Sequence, residues 1–185
     1  MRLDIAPDLC HWIKATSDDQ AIEHLCSIMA QRKILGANGF VKGAFDCICF
    51  TEAPYIEFHK QKHRYKRYDV MVSKEWVFNR GGRPVIYQPE NEYHLLPDCL
   101  KWRHVSFDPP KVDFTWEREW RINQKEVDVT PEDFLFLVPS EEIGELLSTE
   151  YVDEEYRICC SALEENDKYG ENWEPAPFRY RVIGE

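Results

Sequence analysis

A single α+β domain is what the sequence predicts, and three observations predict it. One amphipathic stripe of apolar residues spaced for a helix lies between Ser17 and Arg32, and short apolar or alternating runs bounded by proline and glycine fill the rest of the 185 residues. No repeat, low-complexity stretch or long linker divides the chain, so residues 1–185 read as one domain. A chain of this length hides roughly 70% of its unfolded surface on folding, enough for a real core.

In order, residues 2–15 read as an extended segment ending in Leu9-Cys10-His11-Trp12-Ile13-Lys14, and Ser17 with Gln20 makes a capping box. Ile22, Leu25, Cys26, Met29 and Ala30 then recur at three- and four-residue steps, with Gly36 and Asn38-Gly39 as the stop. His24, beside that stripe, reads as structural. Residues 45–50 form a short apolar strand closed by Thr51-Glu52-Ala53-Pro54, because proline ends a strand ladder. Residues 68–73 alternate as a strand, 74–79 form one or two helical turns, and Gly81-Gly82-Arg83-Pro84 turns the chain into a strand ending at Tyr87 and Gln88. Residues 95–105 carry mixed signals, and Asp108-Pro109-Pro110 breaks the chain. A strand is expected over 114–122, a buried one over 134–139, and a short helix after Ser140 carrying Ile143, Leu146 and Leu147.

Composition excludes several classes. A mean hydropathy of −0.56 and the lack of a long apolar run leave no membrane span. The opening Met1-Arg2-Leu3-Asp4-Ile5 lacks a signal-peptide profile, so a cytoplasmic protein is expected. Seven cysteines include Cys47-x-Cys49 and Cys159-Cys160, too close for ordinary bridges, and no C-x-x-C pair suggests zinc; they read as reduced, with no metal site. A net charge of −11 argues against nucleic-acid binding over the whole surface. The run His59-Lys60-Gln61-Lys62-His63-Arg64-Tyr65-Lys66-Arg67 is nevertheless strongly cationic and could meet phosphates, or simply be a solvated loop.

The densest chemical signal is Trp116-Glu117-Arg118-Glu119-Trp120-Arg121-Ile122. On a strand, a period of two would place Glu117 and Glu119 on one face, where like charges repel unless a cation or a function keeps them together. The bland alternative is a solvated ladder on an edge strand.

Polar residues thus come at strand ends in the order His11, Thr51 with Glu52, Tyr87, and Glu117 with Glu119. The order resembles the ADP-ribosyltransferase fold, and within it the bacterial branch of DarT-type toxins and related phage-defence proteins; the pieces that carry this are Leu9-x-His11, Cys49-Phe50-Thr51-Glu52-Ala53-Pro54, Pro84-Val85-Ile86-Tyr87 and Glu117-Arg118-Glu119-Trp120-Arg121-Ile122, within residues 9–139. The resemblance implies a split, mostly antiparallel β-sheet with flanking helices and a cleft for NAD as co-substrate. It also implies a mono-ADP-ribosyltransferase, a toxin or phage-defence effector acting on a nucleic-acid or protein acceptor and held by an antitoxin or other regulatory protein. By this likeness Glu119 stabilises the oxocarbenium-like charge on the nicotinamide ribose and Glu117 serves the acceptor. His11 would bond ribose hydroxyls, Tyr87 would stack on nicotinamide, and Thr51, Glu52 and Arg83 would complete the NAD site. Departures are Thr51 where relatives often carry Ser-x-Ser, and a mid-chain arginine that falls among Arg64, Arg67 and Arg83 without a unique choice. Two rival readings are an inactive nucleotide- or protein-binding member of the same fold, and a nuclease holding Mg²⁺ through His11, Glu52, Glu117 and Glu119; the latter lacks the usual acidic run with lysine.

Overall fold

The computed structural model describes residues 6–39, 41–52, 67–148 and 178–183. Its centre is a seven-stranded sheet that names the strands used below: β1 (Asp8–Trp12), β3 (Ile48–Thr51), β4 (Asp69–Ser73), β5 (Arg83–Pro84), β8 (Glu119–Ile122), β10 (Phe134–Val138) and β11 (Arg179–Val182), in the spatial order β11-β10-β4-β1-β3-β8-β5. Every neighbouring pair is antiparallel except β10 with β11. Two small sheets flank it. In one, β2 (Lys33–Leu35) runs antiparallel to β9 (Glu126–Asp128); in the other, β6 (Ile86–Gln88) runs parallel to β7 (His104–Ser106). With its helices the fold is α+β and mostly antiparallel. Between β1 and β3 only Cys10 and Thr51 are paired, whereas β1 and β4 pair over five residues, so the sheet opens at the β1–β3 seam.

Helix α1 (Asp18–Gln31) starts as the sequence predicts, with the Ser17 hydroxyl accepting from the Gln20 N–H at 3.2 Å. The Gln20 side chain accepts from the backbone and hydroxyl of Thr16 rather than closing the box on Ser17. Asp18 and Asp19 complement the positive end of the helix dipole, and Ala21, Leu25 and Met29 bury its inner stripe. The helix ends where the stripe does, at Arg32 and ahead of Gly36. Arg32 adopts a left-handed conformation with φ 51°, and the chain passes straight into β2. His24 is exposed on the outer face.

Helix α2 (Lys74–Asn79) follows β4 without a loop, because Ser73 caps the Trp76 N–H at 3.1 Å. A third helix, α3, covers 141–148 and is capped by Ser140 onto the Ile143 N–H. Residues 90–103 resolve into two 3₁₀ turns, Glu90–Leu95 and Asp98–Arg103, each entered from a proline that presets the backbone.

Two strand expectations are corrected. The strand expected from residue 45 begins at Ile48, since Gly43 (φ 89°) and Ala44 (φ 56°) bend the chain just before it. Residues 114–122 are not one strand: Asp113 accepts from the backbone and hydroxyl of Thr115 and coils the chain into a 3₁₀ turn, Thr115–Glu117. Arg118 then reverses direction with φ 47°, and β8 starts only at Glu119.

The sheet has two unlike faces. Leu9, Ile13, Ile48, Phe50, Val70, Val72, Ile122, Phe134, Phe136 and Val138 point to one side and form a continuous core with α1 and Trp76 and Val77 of α2. Phe178 joins it, its ring 4.7 Å from that of Phe134. The other side carries Trp12, Cys49, Thr51, Glu119 and Arg121, and that side opens into a cavity. No described helix is long and apolar enough to cross a membrane.

Candidate functional site

The cavity, of about 410 Å³, lies between the polar face of β1, β3 and β8 and a second wall formed by β7 and the chain around Leu35, Ala37, Val41 and Lys42. That volume is within the range of small-molecule sites. Gly43 shapes its rim: with φ 89° it holds a conformation that side chains avoid, and a Cβ there would meet the Tyr93 hydroxyl at 2.6 Å. Tyr93 in turn donates to the Lys42 carbonyl.

Strand alternation on β8 sends Glu119 and Arg121 into the cavity and Trp120 and Ile122 into the core. The Arg121 guanidinium forks the Glu119 carboxylate through Nε at 2.8 Å and an Nη at 3.3 Å, while its other Nη donates to the carbonyls of Trp102 and His104. Four hydrogen bonds leave that arginine little freedom. The carboxylate raises the Arg121 pKa against the opposing effect of burial. Burial and Glu119 together push the Cys49 thiol far up, and burial lifts Cys47 to about 11, so both thiols in the wall stay protonated and unreactive. Glu117, 8% exposed, reaches the same cavity from the 3₁₀ turn. The two acids meet there because Arg118 turns between them, not because a strand alternates.

The Glu52 N–H holds this turn by donating to the Glu117 and Arg118 carbonyls at 3.2 and 3.4 Å. Its side chain turns elsewhere, accepting from Trp120 Nε1 at 3.0 Å and pairing with Lys74 at 2.8 Å. Thr51, opposite Glu119 in register, lines the cavity and is 6% exposed. Thus Glu117, Glu119 and Thr51 are brought together.

Four of the sequence candidates are not brought to this wall by their side chains. Tyr87 does not line the cavity; its hydroxyl donates to the Phe114 carbonyl at 3.2 Å and accepts from the Glu119 N–H at 3.1 Å, bridging the two ends of the acidic turn. Burial there lifts the phenol to about 12. In place of the expected stacking platform, Tyr87 is a brace. His11 projects to the core side, 5.7 Å from the Phe50 ring, and donates from Nδ1 to the Cys49 carbonyl across the β1–β3 seam, with burial lowering its pKa. Arg83 donates to the Phe78 and Gly82 carbonyls and stacks on Phe78, outside the cavity. Glu52, as above, is committed to Lys74 and Trp120. His11, Glu52, Glu117 and Glu119 therefore do not gather into an Mg²⁺ site, and among the described residues no three His, Cys, Asp or Glu converge for a metal. Of the cationic run, residues 59–66 lie outside the described residues.

Sequence reading missed Arg121, His104, Trp12, Lys14, Lys42 and Glu90 of the lining. Arg121 had a signal, since it stands two residues after Glu119 and shares its face. His104 and Glu90 had none, because they arrive from 3₁₀ turns and a three-residue strand without periodicity.

No family model matches the chain, and no curated protein matches it. Among solved structures it is similar to Thermus sp. 2.9 DarT in complex with NAD+, at 13% identity and a TM-score of 0.44 over 96% of this chain and 95% of that one. It is likewise similar to that organism's DarT in complex with ADP-ribosylated ssDNA, at 13% identity and 0.47 over 99% and 98%. A third complex, with carba-NAD+, gives 15% identity and 0.45 over 96% and 95%.

Proposed function

We propose that the protein is an NAD-dependent mono-ADP-ribosyltransferase in which Glu119 supports cleavage of the nicotinamide–ribose bond and Glu117 serves the acceptor. One observation carries this reading: two acids, Glu119 held through its carboxylate by Arg121 and Glu117 through its backbone, converge with Thr51 on a single ligand-sized cavity. The pair also sits in the motif by which the sequence resembles these enzymes.

A carboxylate offers about four lone-pair sites, and the Arg121 fork uses two of them, so Glu119 can still accept from a ribose 2′-hydroxyl. That contact strengthens as positive charge grows on the ribose, which favours the transition state over bound NAD. Nicotinamide leaves with the bonding pair and becomes neutral. The acceptor attacks the anomeric carbon, and Glu117 takes the proton it sheds. Tyr87 contributes by holding the Glu119 backbone, and Thr51 by lining the same wall beside it. Lys14 at the rim supplies positive charge suited to a pyrophosphate, whereas Lys42 is paired with Glu90.

For the acceptor we favour nucleic acid, because the cationic residues Lys60, Lys62, Arg64, Lys66 and Arg67 form the one basic run of an acidic chain. Such an effector would act as a toxin or in phage defence, under an antitoxin or other regulatory protein. A second reading, an NAD-binding member without turnover, is favoured by Arg121, which already neutralises the carboxylate that catalysis would use.

The test is incubation with NAD labelled in the adenylate half, together with single-stranded DNA, RNA or a protein lysate. Label on nucleic acid that falls as salt rises supports the favoured acceptor. Label on protein alone moves the acceptor to that class. NAD binding without nicotinamide release supports the inactive member, and no NAD binding overturns the proposal.

A further inference from the structure

Arg83 and Arg103 stand together beside the cavity, and NAD cleavage leaves both without a task. Arg83 lies on β5, the edge strand, opposite Arg121 in register. Its Nη1 donates to the Phe78 and Gly82 carbonyls at 3.0 and 2.6 Å, and its guanidinium sits 3.9 Å from the centre of the Phe78 ring. Arg103 reaches the same stretch of chain, donating from Nε to the Pro84 carbonyl at 2.8 Å. All of these acceptors are neutral. Arg80 pairs with Asp133 at 3.6 Å and Arg121 with Glu119, whereas neither Arg83 nor Arg103 has a carboxylate within ion-pair distance among the described residues.

The sequence carries 34 acidic against 23 basic residues, so carboxylates are not scarce. Setting two guanidiniums side by side without one is unfavourable until an anion arrives. Burial, and after it the charge of Arg83, lowers the Arg103 pKa. The carbonyl bonds orient the forks without exhausting them: Arg83 keeps Nε and Nη2, and Arg103 keeps both of its Nη groups, for another acceptor. Phe78, 51% exposed, adds flat apolar surface at the same place. Guanidinium forks bind phosphate oxygens, and an exposed ring offers a platform to a nucleobase. A single small anion would use the forks and leave the ring idle.

This shoulder is tied to the acidic site by its backbone. The Val85 N–H donates to the Glu119 carbonyl at 3.0 Å, and Arg121 bonds the carbonyls of Trp102 and His104 on either side of Arg103. We infer that Arg83, Arg103 and Phe78 form a docking surface for a single-stranded nucleic acid, holding it by its phosphates and one base next to the cavity. The inference rests on the nucleic-acid acceptor favoured above and deepens it by giving that strand a place on the β5 edge.

The experiment measures anisotropy of a fluorescein-labelled oligothymidylate over a range of salt concentrations, without NAD. It compares wild type with Arg83→Gln/Arg103→Gln, Arg83→Lys/Arg103→Lys, Phe78→Ala and a control of equal charge change, Lys33→Gln/Arg179→Gln, on β2 and on the opposite sheet edge, β11. The Gln pair should bind at least about tenfold more weakly at low salt, with a slope of log affinity against log salt shallower by about 1.4, for two phosphate contacts at roughly 0.7 each. The Lys pair keeps the charge and should keep most of the slope. Phe78→Ala should lose about fivefold or more with the slope unchanged, because stacking is not ionic. If the Gln pair fails to fold, each single Gln variant carries the comparison, with a slope loss of about 0.7. A wild-type slope in the Gln variants, or an equal loss in the control, would overturn the inference while the nucleic-acid acceptor stands. A Lys pair as weak as the Gln pair would overturn it too, making the arginines staples for carbonyls. Full affinity in Phe78→Ala would reduce the surface to an anion site and overturn the strand as its occupant. Absence of binding by the wild-type protein would instead overturn the nucleic-acid acceptor beneath it.

Discussion

The two faces of the central sheet are made by the same strands and are built for different ends. On β3, Ile48 and Phe50 face the core while Cys49 and Thr51 face the cavity; on β8, Ile122 faces the core while Glu119 and Arg121 face the cavity. The core face consists of aliphatic and aromatic groups whose removal from water favours folding at roughly 25 cal/mol per Å². The cavity face holds an ion pair between side chains only 12% and 6% exposed, and such pairs contribute little net stability because desolvation offsets their attraction. The two faces thus differ in what their groups give to folding: the apolar one drives it, and the polar one, though braced by several hydrogen bonds, adds little.

The sharpest separation of the two faces should come from Phe136→Ala. Phe136 is 1% exposed and packs on Phe134 and Phe178, so truncation should cost about 3–5 kcal/mol of stability, read by urea unfolding. NAD affinity of the folded fraction should not change. A specific loss of affinity would mean that the faces are not independent.

Asp69 breaks the comparison from the other direction. It is a fully buried acid beside Cys10 on the cavity side of β4, and burial raises its carboxyl to about 7. The folded state therefore binds that proton more readily than the unfolded chain, whose ordinary value is about 4. The sign follows: this contribution to stability is fully present below about pH 4, falls as pH rises toward about 7, and is flat above, with a slope of at most about 1.4 kcal/mol per pH unit. Asp69→Asn should flatten the curve measured by denaturation at several pH values; an unchanged slope would assign it to other groups.

Arg121→Met should cost about 2–3 kcal/mol, below the roughly 3–5 of a fully buried pair because Glu119 borders a cavity. It should also abolish whatever preorganisation Glu119 has, lowering NAD turnover more than NAD affinity. Gain of turnover would support the view that Arg121 holds the acid silent. The smallest effect is expected of Tyr87→Phe, which deletes two hydrogen bonds worth together about 1–2 kcal/mol and loosens the acidic turn. An unaffected melting temperature and turnover would remove Tyr87 from its bracing role.

Legibility in the sequence followed periodicity. The helical stripe through Leu25 and Met29, the helical turns of 74–79 and the buried run from Phe134 could be read because local chemistry and packing agree there. Glu117 and Glu119 were legible as a pair, but by a strand that begins only at Glu119; Asp113 capping Thr115 coils the residues before it into a 3₁₀ turn. Tyr87 and His11 were found as polar groups at strand ends, yet which way each side chain turns depends on register with β7 and β3, set by residues distant in sequence. Arg83 and Glu52 are satisfied by Phe78 and Lys74 on α2, a packing partner no local pattern announces. His104 and Glu90 escaped altogether, since 3₁₀ turns leave no period to detect.

The central claim is that Glu119 acts on the nicotinamide–ribose bond, and nicotinamide release from NAD by wild type and Glu119→Gln tests it most directly. The account predicts release by the wild-type protein, a drop of about 10²- to 10³-fold in the variant, and NAD affinity within a few-fold of wild type, because the lost charge serves mainly the transition state. Release by Glu119→Gln within a few-fold of wild type would contradict it.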